Sequence, residues 1–274
     1  MNLVYMIVAH KDPHQVIRLI LKLMDGNSTF IIHFGKDARD EDYSILSEKF
    51  KNSNNVTFIK RFETIWGKGI IDPVLEGVQT IIRESISCDF LILMSGQDYP
   101  LKKNDEIIQF FSEYQGFSFI NSVPLPDPEW DMNISSRWEN YYFNFINPRK
   151  SKNRRRVNLG LNLIVNLFIL VLKGKRKFPK DYIPYGGSAW WCLSKEGVDF
   201  LHTFTNENPK FIKFFENVFI PDEIFFQTVL VNSPLKSKII NASLTYDDWS
   251  TNAEHPKNLC IEDFNKLCSV EILI

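Results

Sequence analysis

Apolar segments of strand length alternate with amphipathic helical segments through the first third of the chain, and this rhythm constrains the fold more than any other feature of the sequence. Two of the helical segments begin with an Asp-Pro pair, in which the Asp is expected to be the N-cap and the Pro the first helical residue. Such alternation predicts an α/β fold with a mostly parallel central sheet flanked by helices. The predicted strands are 3–9, 29–34, 56–59 and 89–94, and the predicted helices begin at Asp12-Pro13, Glu41, Asp72-Pro73 and Asn104-Asp105.

Ligands bind such sheets just beyond the carboxyl ends of the strands. The loops at 9–12, 33–37 and 95–100 follow three predicted strands, so they are the first places to look for a site. The second half of the chain is less regular. It has predicted strands at 117–121, after 185 and at 239–241, a long loop at 122–148, and helices from Lys195 and at 262–268.

Composition restricts the class of protein. The 274 residues suit one large domain, or one domain with an insertion at 122–180, and 44% of them are hydrophobic, which is enough for a packed core. The formal net charge of −1 argues against a globally basic nucleic-acid binder. The four cysteines show no Cys-x-x-Cys pair, and three adjoin apolar runs, which favours buried, reduced thiols. Because the first apolar run reads as a strand and not as a signal peptide, a cytoplasmic location is expected.

One acidic segment stands out in the second half. Pro221, Asp222 and Glu223 run directly into a mostly apolar stretch at 224–230 that reads as a buried helix. Asp222 is predicted to be the N-cap, which places the Glu223 carboxylate on the first turn, where the helix dipole favours its charged form. A carboxylate there is either a cap and nothing more, or a base held ionised on a rigid element to take a proton from a hydroxyl.

Several motifs occur in a fixed order along the chain and together resemble one family. They are Ala9-His10-Lys11, Trp66-Gly67, Leu93 through Lys102, Gly187 through Trp191, Pro221-Asp222-Glu223, and Asp248-Trp249 with His255-Pro256. In this combination, residues 3–268 resemble the core-2/I-branching enzymes, β-1,6-N-acetylglucosaminyltransferases related to the protein O-xylosyltransferases. The resemblance implies a GT-A-like nucleotide-sugar transferase fold over 1–274 and an inverting transfer that needs no divalent metal.

The resemblance also implies a reaction. A sugar passes from its UDP-sugar donor to a hydroxyl of a glycan or of a lipid-linked oligosaccharide. The first donor implied is UDP-N-acetylglucosamine, and UDP-xylose or another UDP-hexose is the alternative. Such an in-line displacement requires a base for the hydroxyl and a cationic partner for the departing diphosphate. By resemblance, Glu223 is the catalytic base and Lys257 contacts the diphosphate.

Further donor-binding residues follow from the resemblance, some beside a structural alternative. His33 is otherwise a structural histidine at a strand end, and Asp98 is otherwise the cap of the turn into Pro100. A strand follows the glycine turn at 186–188, so it is no phosphate-binding loop of the helix-opening type, and close approach of the backbone to the sugar nucleotide is expected there. The donor-side residues are Ala9, His10, His33, Asp98, Gly187, Ser188 and Lys257.

On the acceptor side the resemblance implies aromatic and basic residues. Arg137 and Trp138 resemble an acceptor-facing Arg-Trp pair, and Trp249 matches an acceptor-side aromatic. The apolar face of a sugar ring stacks on such side chains. In the Trp190-Trp191 pair, strand alternation would turn one ring outward and the other into the core.

Two positions depart from the family pattern. Gly35 stands where the family has Asp in the turn after the second strand, with Asp37 two residues on, so either the turn is shifted or the nucleotide preference differs. The second basic residue for the diphosphate belongs to a Phe-Ala-Arg-Lys-like motif that would start at Leu273-Ile274, where the sequence stops. Either the sequence is truncated there, or the site lacks one of its two cations.

No metal site is expected. The slot that holds an Asp-x-Asp metal ligand in GT-A folds corresponds to residues 91–98, which contain one acidic residue, Asp98. Asp40-Glu41-Asp42 matches the tripeptide, but it follows no strand directly and reads as the exposed start of a helix. Basic side chains are the expected alternative for stabilising the leaving group.

Residues 157–172 form an apolar segment between basic residues at 149–156 and 173–177. Asn158, Asn162 and Asn166 line one face of the predicted helix, and the run of 16 residues is shorter than the roughly 20 needed to span a bilayer. Either the helix packs on the domain, or it lies on an anionic membrane with the basic residues of 149–177 as anchors. The second alternative predicts a peripheral location at the inner face of the plasma membrane.

Two other functions are compatible with the same residues. A catalytically inactive sugar-nucleotide or glycan-binding module would explain the departures at Gly35 and after Leu273. A hydrolase that uses Glu223 to activate water on a sugar nucleotide would need an open site without an acceptor pocket, and the tryptophan-rich loops argue against it.

Overall fold

The computed structural model describes residues 1–64, 69–127, 133–145, 151–250, 256–270 and 272–273, and structural statements below apply to these. The strands are β1 (Leu3–Ala9), β2 (Thr29–Phe34), β3 (Val56–Phe58), β4 (Phe90–Ser95), β5 (Ser118–Phe119), β6 (Val123–Pro124), β7 (Tyr185–Gly186), β8 (Cys192–Ser194) and β9 (Ile239–Ile240). The helices are α1 (Pro13–Leu23), α2 (Asp40–Phe50), α3 (Ile71–Arg83), α4 (Asn104–Glu113), α5 (Ser136–Glu139), α6 (Lys152–Lys173), α7 (Lys195–Glu207), α8 (Pro209–Phe215), α9 (Phe225–Val231) and α10 (Phe264–Cys268).

Seven strands form one sheet in the order β3-β2-β1-β4-β8-β5-β9. β1 pairs in parallel with β2 and β4, and β2 pairs in parallel with β3. Among these seven described strands, only β8 runs opposite to the rest, between β4 and β5. The predicted α/β fold with a mostly parallel central sheet is therefore confirmed, and β6 and β7 form a separate antiparallel pair.

Successive side chains of a strand point to opposite sides of the sheet, and helices cover both of these sides. In β1, Met6 lies in a hydrophobic cluster with residues of α3, α7 and α9. Its neighbour Ile7 lies in a second cluster, with residues of α1, α2 and α4. This double burial explains why β1 and β4 are apolar along their length and do not alternate with polar residues.

The two Asp-Pro pairs turn out differently. Asp12 caps α1 as predicted, and its side chain accepts a hydrogen bond from the Gln15 N–H (3.1 Å). The prediction that Asp72 is an N-cap is wrong, because α3 begins at Ile71, two residues before the predicted Pro73, with Ile70 as N-cap residue and no side-chain cap.

Element lengths differ from the predictions mainly in the second half. β5 and β8 pair over only one to three residues with their neighbours, so the strands predicted at 117–121 and after residue 185 are short. The predicted helix at 157–172 is longer, at 22 residues, since α6 also takes in basic residues at both ends. α2 begins at Asp40, which confirms that the tripeptide of acidic residues is a helix start.

Candidate active site

The turns after β1, β2 and β4 lie side by side at the carboxyl edge of the sheet. The Gly35 N–H donates to the Ala9 carbonyl (2.8 Å), and the Gly96 N–H donates to the Val8 carbonyl (2.9 Å). A Cβ on Gly96 would lie 2.5 Å from the Ala9 Cβ, so these two turns touch with no room for a larger side chain. Of the predicted donor residues here, Ala9 is buried and His10 is half-buried.

Asp37 occupies the space that an acidic side chain at position 35 would need. Its Oδ1 accepts a hydrogen bond from the Thr64 N–H (3.3 Å). A Cβ on Gly35 would lie 3.0 Å from that same Oδ1 and 3.0 Å from the Thr64 hydroxyl oxygen. The geometry therefore favours the shifted turn of the two alternatives that the sequence left open, with Asp37 supplying the carboxylate beside Gly35.

His33 is fully buried near the end of β2, and its Nε2 accepts a hydrogen bond from the Phe62 N–H (2.9 Å). Burial lowers the pKa of His33 to about 4, so the ring is neutral at neutral pH. The position matches the structural alternative, in which His33 holds the segment after β3 against β2. Direct contact with a donor stays a prediction, and this burial does not favour it.

Asp98 closes the turn after β4. Its Oδ2 accepts a hydrogen bond from the Ser95 N–H (2.7 Å), which is the turn-capping alternative. Burial raises the Asp98 pKa to about 7, and the charge of Asp247 adds to the effect. Asp247, whose own pKa burial also raises, therefore lies close enough to bring the 246–249 segment to this edge of the sheet.

Glu223 ends a 3-10 turn, Pro221–Glu223, and α9 begins only at Phe225. Ile224 is the N-cap residue of α9 and there is no side-chain cap, so the prediction that Asp222 is the N-cap is wrong. The predicted base is thus placed on a tight turn that precedes the helix, and not within its first turn.

Asp222 points into the loop that follows β3. A Cβ on Gly69, where φ is +73°, would lie 2.1 Å from the Asp222 Oδ1, so both the conformation and the space require glycine there. The Oδ1 atom has no hydrogen-bond partner among the described residues, and burial raises the pKa of Asp222 to about 7. This buried carboxyl group joins the Glu223 turn to the loop after β3.

Glu223 forms an ion pair with Arg137, which brings together two residues that the sequence assigned to catalysis and to acceptor binding. The Arg137 Nη1 and the Glu223 Oε2 lie 2.7 Å apart. The side chain of Glu223 is 33% exposed and that of Arg137 is 17% exposed, so the carboxylate reaches solvent while its partner is largely enclosed. A ligand can therefore contact the carboxylate.

Gly187 and Ser188 support the Glu223 turn through their main chains. The Gly187 N–H donates to the Glu223 carbonyl (3.0 Å), and the Gln227 side-chain amide donates to the Ser188 carbonyl (2.6 Å). A Cβ on Gly187 would lie 2.0 Å from the Asn121 carbonyl oxygen, so only glycine fits between these segments. The close backbone approach predicted for this turn is thus made to the protein itself, and contact with a sugar nucleotide stays a prediction.

Arg137 also lines a cavity of about 250 Å³ between the segment after α5 and the helix α6. The cavity has aromatic and aliphatic walls with a few polar groups, a composition typical of ligand pockets. Its lining includes Asn140, Tyr141, Tyr142, Phe219 and, from α6, Leu159, Asn162, Leu163 and Asn166.

The predicted acceptor-side tryptophans differ in their exposure to solvent. Trp249 is 54% exposed, as a stacking platform requires. Trp138 is buried and packs edge-on against Phe178 (5.3 Å between ring centroids), so its side chain belongs to the core and does not face an acceptor. In the Trp190-Trp191 pair, Trp191 is the buried member.

Lys257, predicted to bind the diphosphate, lies in a small charged cluster. Its Nζ lies 2.5 Å from the Asp263 Oδ1, and its N–H donates to the Asp248 carbonyl (2.7 Å). Lys266 pairs with the Asp248 carboxylate (3.1 Å). Sequence reasoning missed Lys266, although its position in the tail helix, three residues after Asp263, was a usable signal.

Other predicted features remain open. Trp66, Gly67 and His255 lie outside the described residues. Within the described part of the chain, no group of three or more His, Cys, Asp or Glu side chains is arranged to hold a metal ion. Independence from metal stays a prediction.

Comparison with known proteins relates the whole chain to one family. Residues 3–268 match the family model described as Core-2/I-Branching enzyme. The chain is 24% identical over 269 residues to the β-glucuronosyltransferase GlcAT14A of Arabidopsis thaliana, which covers 93% of this chain and 56% of the relative. It is 24% identical over 254 residues to xylosyltransferase 1 of Pan troglodytes, which covers 91% of this chain and 24% of the relative. The chain therefore spans about half, or a quarter, of the length of these two relatives.

This chain was also compared with a solved structure, the 4-diphosphocytidyl-2C-methyl-D-erythritol synthase of Anaerococcus prevotii. The matched part covers 46% of this chain and 57% of that protein. The TM-score is 0.29 at 10% identity, a likeness too low to inform fold or function.

Proposed function

This chain belongs to the core-2/I-branching enzyme family, and on that premise we propose that it is an inverting glycosyltransferase with Glu223 as general base. The observation that carries the proposal is the partly exposed Glu223 carboxylate, paired with Arg137 beside a cavity. A base must be reachable by the hydroxyl that it deprotonates and must be held in place. Glu223 meets both conditions.

The proposed reaction is a single displacement. The Glu223 carboxylate takes the proton of the acceptor hydroxyl while the hydroxyl oxygen forms a bond to the anomeric carbon of the donor sugar. The bond from that carbon to the diphosphate oxygen breaks on the opposite face, and the diphosphate leaves with the electron pair. Arg137 binds Oε2 and so orients the carboxylate, with Oε1 available for the hydroxyl.

The leaving diphosphate requires positive charge, and Lys257 and Lys266 are proposed to supply it. Both lie beside Asp248, whose neighbour Asp247 acts electrostatically on Asp98 at the carboxyl edge of the sheet. A divalent metal is not part of the proposal, because the one acidic residue of the 91–98 segment already accepts the Ser95 N–H. Approach of a diphosphate would draw the lysines away from their carboxylate partners.

The donor is proposed to be a UDP-sugar. UDP-N-acetylglucosamine is the first choice from the sequence, while the names of relatives point to xylose and to glucuronic acid, so all three belong in the test. The acceptor is proposed to be a glycan or a lipid-linked oligosaccharide, with Trp249 as a stacking surface.

A second candidate function is a sugar-nucleotide-binding module without catalysis. One observation favours it: Lys257 and Lys266 are already paired with Asp263 and Asp248. If these pairs persist with a ligand bound, the diphosphate receives no cation from them and transfer does not proceed.

UDP release from each of the three donors tests the proposal, measured with and without oligosaccharide acceptors and with and without EDTA. Acceptor-dependent release that EDTA leaves unchanged is the expected result. Release that needs no acceptor would indicate a hydrolase, donor binding without release would indicate the second candidate, and loss of turnover in EDTA would contradict the metal-free proposal.

The base is tested with Glu223→Gln, which keeps the shape of the side chain. We expect turnover to fall by about 10²–10⁴-fold, the usual contribution of a general base, with UDP binding changed by less than several-fold. Glu216→Gln, at an exposed glutamate seven positions earlier, is the matched control and should leave turnover unchanged. Equal rates for wild type and Glu223→Gln would remove Glu223 from the mechanism.

A further inference from the structure

The helix α6 is attached to the domain by its polar face. The Asn162 side chain accepts from the Phe143 N–H (2.7 Å) and donates to the Phe143 carbonyl (2.8 Å). Asn166 makes the same two bonds with the main chain of Tyr141 (2.7 and 2.6 Å). Each of these two asparagine amides thus both accepts from and donates to the main chain of one residue, which is the pairing that a neighbouring β-strand would make.

The opposite face of α6 is apolar and uncovered. Its outward residues recur every three or four positions, so they form one continuous stripe. Val171 at the end of the stripe is 84% exposed, and only 11% of the most apolar stretch of this helix is buried. The exposed members include Leu163, Ile164, Leu167, Phe168, Val171 and Leu172. This is the reverse of a surface helix in a water-soluble domain, whose apolar face meets the core.

By length and composition alone, Asn153–Lys173 could cross a membrane. Its contacts indicate that it lies along the domain instead. Near its start, the Asn158 amide donates to the Tyr142 hydroxyl (3.1 Å). Just after its end, the Arg176 N–H donates to the Glu139 carbonyl (3.0 Å), and its guanidinium donates to main-chain carbonyls at Phe214 and Asn217. Both ends of the helix therefore contact the same side of one domain, about 33 Å apart for 22 residues.

The segment that contains α6 is strongly basic, although Lys175, just after the helix, pairs with Glu139 (2.6 Å). Residues 140–180 contain eleven Lys and Arg and no Asp or Glu, in a chain whose net charge is −1. Arg154 and Arg156 at the start of the helix, and Lys173 and Lys177 at its end, are exposed. Long basic side chains at both ends of an apolar stripe can reach phosphate groups while the stripe enters the acyl boundary.

We propose that α6 lies in the plane of an anionic membrane surface, with its apolar stripe inserted and its terminal basic residues on lipid phosphates. A second copy of the chain fits less well, because a two-fold interface places the same patch on both partners and would bring the exposed basic residues at the ends of α6 in the two copies together. The proposal goes beyond glycosyl transfer and does not depend on it.

Co-sedimentation with lipid vesicles tests the proposal without any donor sugar. The full chain is mixed with neutral phosphatidylcholine vesicles, or with vesicles that contain about 30% phosphatidylglycerol, at low and high salt. We expect binding to the anionic vesicles that weakens several-fold between about 0.1 and 0.5 M salt, and little binding to the neutral ones.

Two variants separate the apolar and electrostatic contributions. Leu167→Glu with Val171→Glu should lower binding by at least about tenfold, because the stripe can no longer enter the acyl boundary. Lys173→Glu with Lys177→Glu should lower binding to anionic vesicles and reduce its salt dependence. Ile261→Glu is the matched control, since Ile261 is 79% exposed but belongs to the turn before α10 and not to α6, and it should bind as wild type does. Circular dichroism checks that each variant is folded.

Three outcomes would overturn the proposal. The first is wild-type protein that stays in the supernatant with anionic vesicles. The second is a dimer, measured by light scattering, that the stripe variants convert to monomer without any vesicle binding. The third is membrane-bound protein that alkaline carbonate cannot extract, which would mean that the helix crosses the bilayer.

Discussion

The carboxyl edge of the sheet, formed by the turns after β1, β2 and β4, is held together by the main chain. Gly35 and Gly96 donate to the carbonyls of β1, and glycine contacts leave no gap for side chains. The second region is the wall around Glu223, which consists of Arg137, Glu223 and the segment 141–143 with α6. Side chains that are far apart in the sequence contact one another there. Main-chain contacts between neighbouring turns therefore shape the first region, whereas the second also depends on individual ion pairs and side-chain amides.

The largest expected effect is on activity, at the wall. Arg137→Met removes the cation that orients Glu223, and we expect kcat to fall about 100-fold with the donor KM unchanged. The free energy of unfolding should change by only about 1 kcal/mol, because a partly exposed ion pair stabilises little. Steady-state kinetics and urea unfolding measure the two quantities.

The control for this variant is Lys175→Met, which breaks the Lys175–Glu139 pair (2.6 Å) in the same region. Its kcat should match that of wild type. If Arg137→Met lowered stability and kcat in proportion, Arg137 would be a structural residue and the distinction between the two regions would weaken.

At the edge, we expect the opposite balance. Gly96→Ala would place a Cβ 2.5 Å from the Ala9 Cβ, and we expect the free energy of unfolding to fall by about 1–3 kcal/mol, as for other overpacked sites. Gly160→Ala in α6 meets nothing within 4 Å and should stabilise by up to about 1 kcal/mol through helix propensity. Equal thermal stability of the two variants would show that the edge can shift to accept a methyl group.

Asp222, beside Glu223 and against the loop after β3, makes stability depend on pH. Its pKa is raised from 3.8 to about 7 by burial, so between these values the folded state binds more protons than the unfolded state. Stability must then fall as the pH rises through this window. We expect wild type to lose about 2–3 kcal/mol between pH 5 and pH 8 relative to Asp222→Asn, measured by urea unfolding at each pH. Parallel profiles for the two proteins would contradict the buried carboxyl group.

The smallest expected effect concerns the amide pairing of α6. Asn162→Leu removes both bonds to the Phe143 main chain, and we expect a loss of about 1 kcal/mol, because these bonds are only partly buried. Leu163→Ala, next to it on the exposed side, should change stability by less than about 0.5 kcal/mol. A larger loss from Leu163→Ala would mean that the apolar side of α6 packs on the protein.

The sequence predicted the edge better than the wall, for a physical reason. Strands such as β1 and β4 are buried on both faces, so their apolar runs are visible locally, and the Asp12 cap acts three residues away. Asp222 matched a cap pattern equally well, but its carboxyl group lies against Gly69, more than 150 residues earlier in the chain. No local pattern reports such a contact.

The same limit applies to the ion pair and to α6. Glu223 was predicted from its own segment and from a family resemblance, yet its pairing with Arg137 spans 86 residues and could not be read from spacing. The asparagine stripe was visible as a helical face. The face that meets the domain is the one whose asparagine side chains bond to the main-chain amides and carbonyls of Tyr141 and Phe143.

The main-chain bond between Gly187 and Glu223 has one more consequence. It fixes the location of position 223 whatever side chain stands there, so shape recognition and proton transfer are separable properties of this loop. On the proposed mechanism, Glu223→Gln would keep this turn in place and remove only the base. We expect such a variant to bind the proposed sugar nucleotide without turning it over, so that one substitution separates a transferase from a sugar-binding protein.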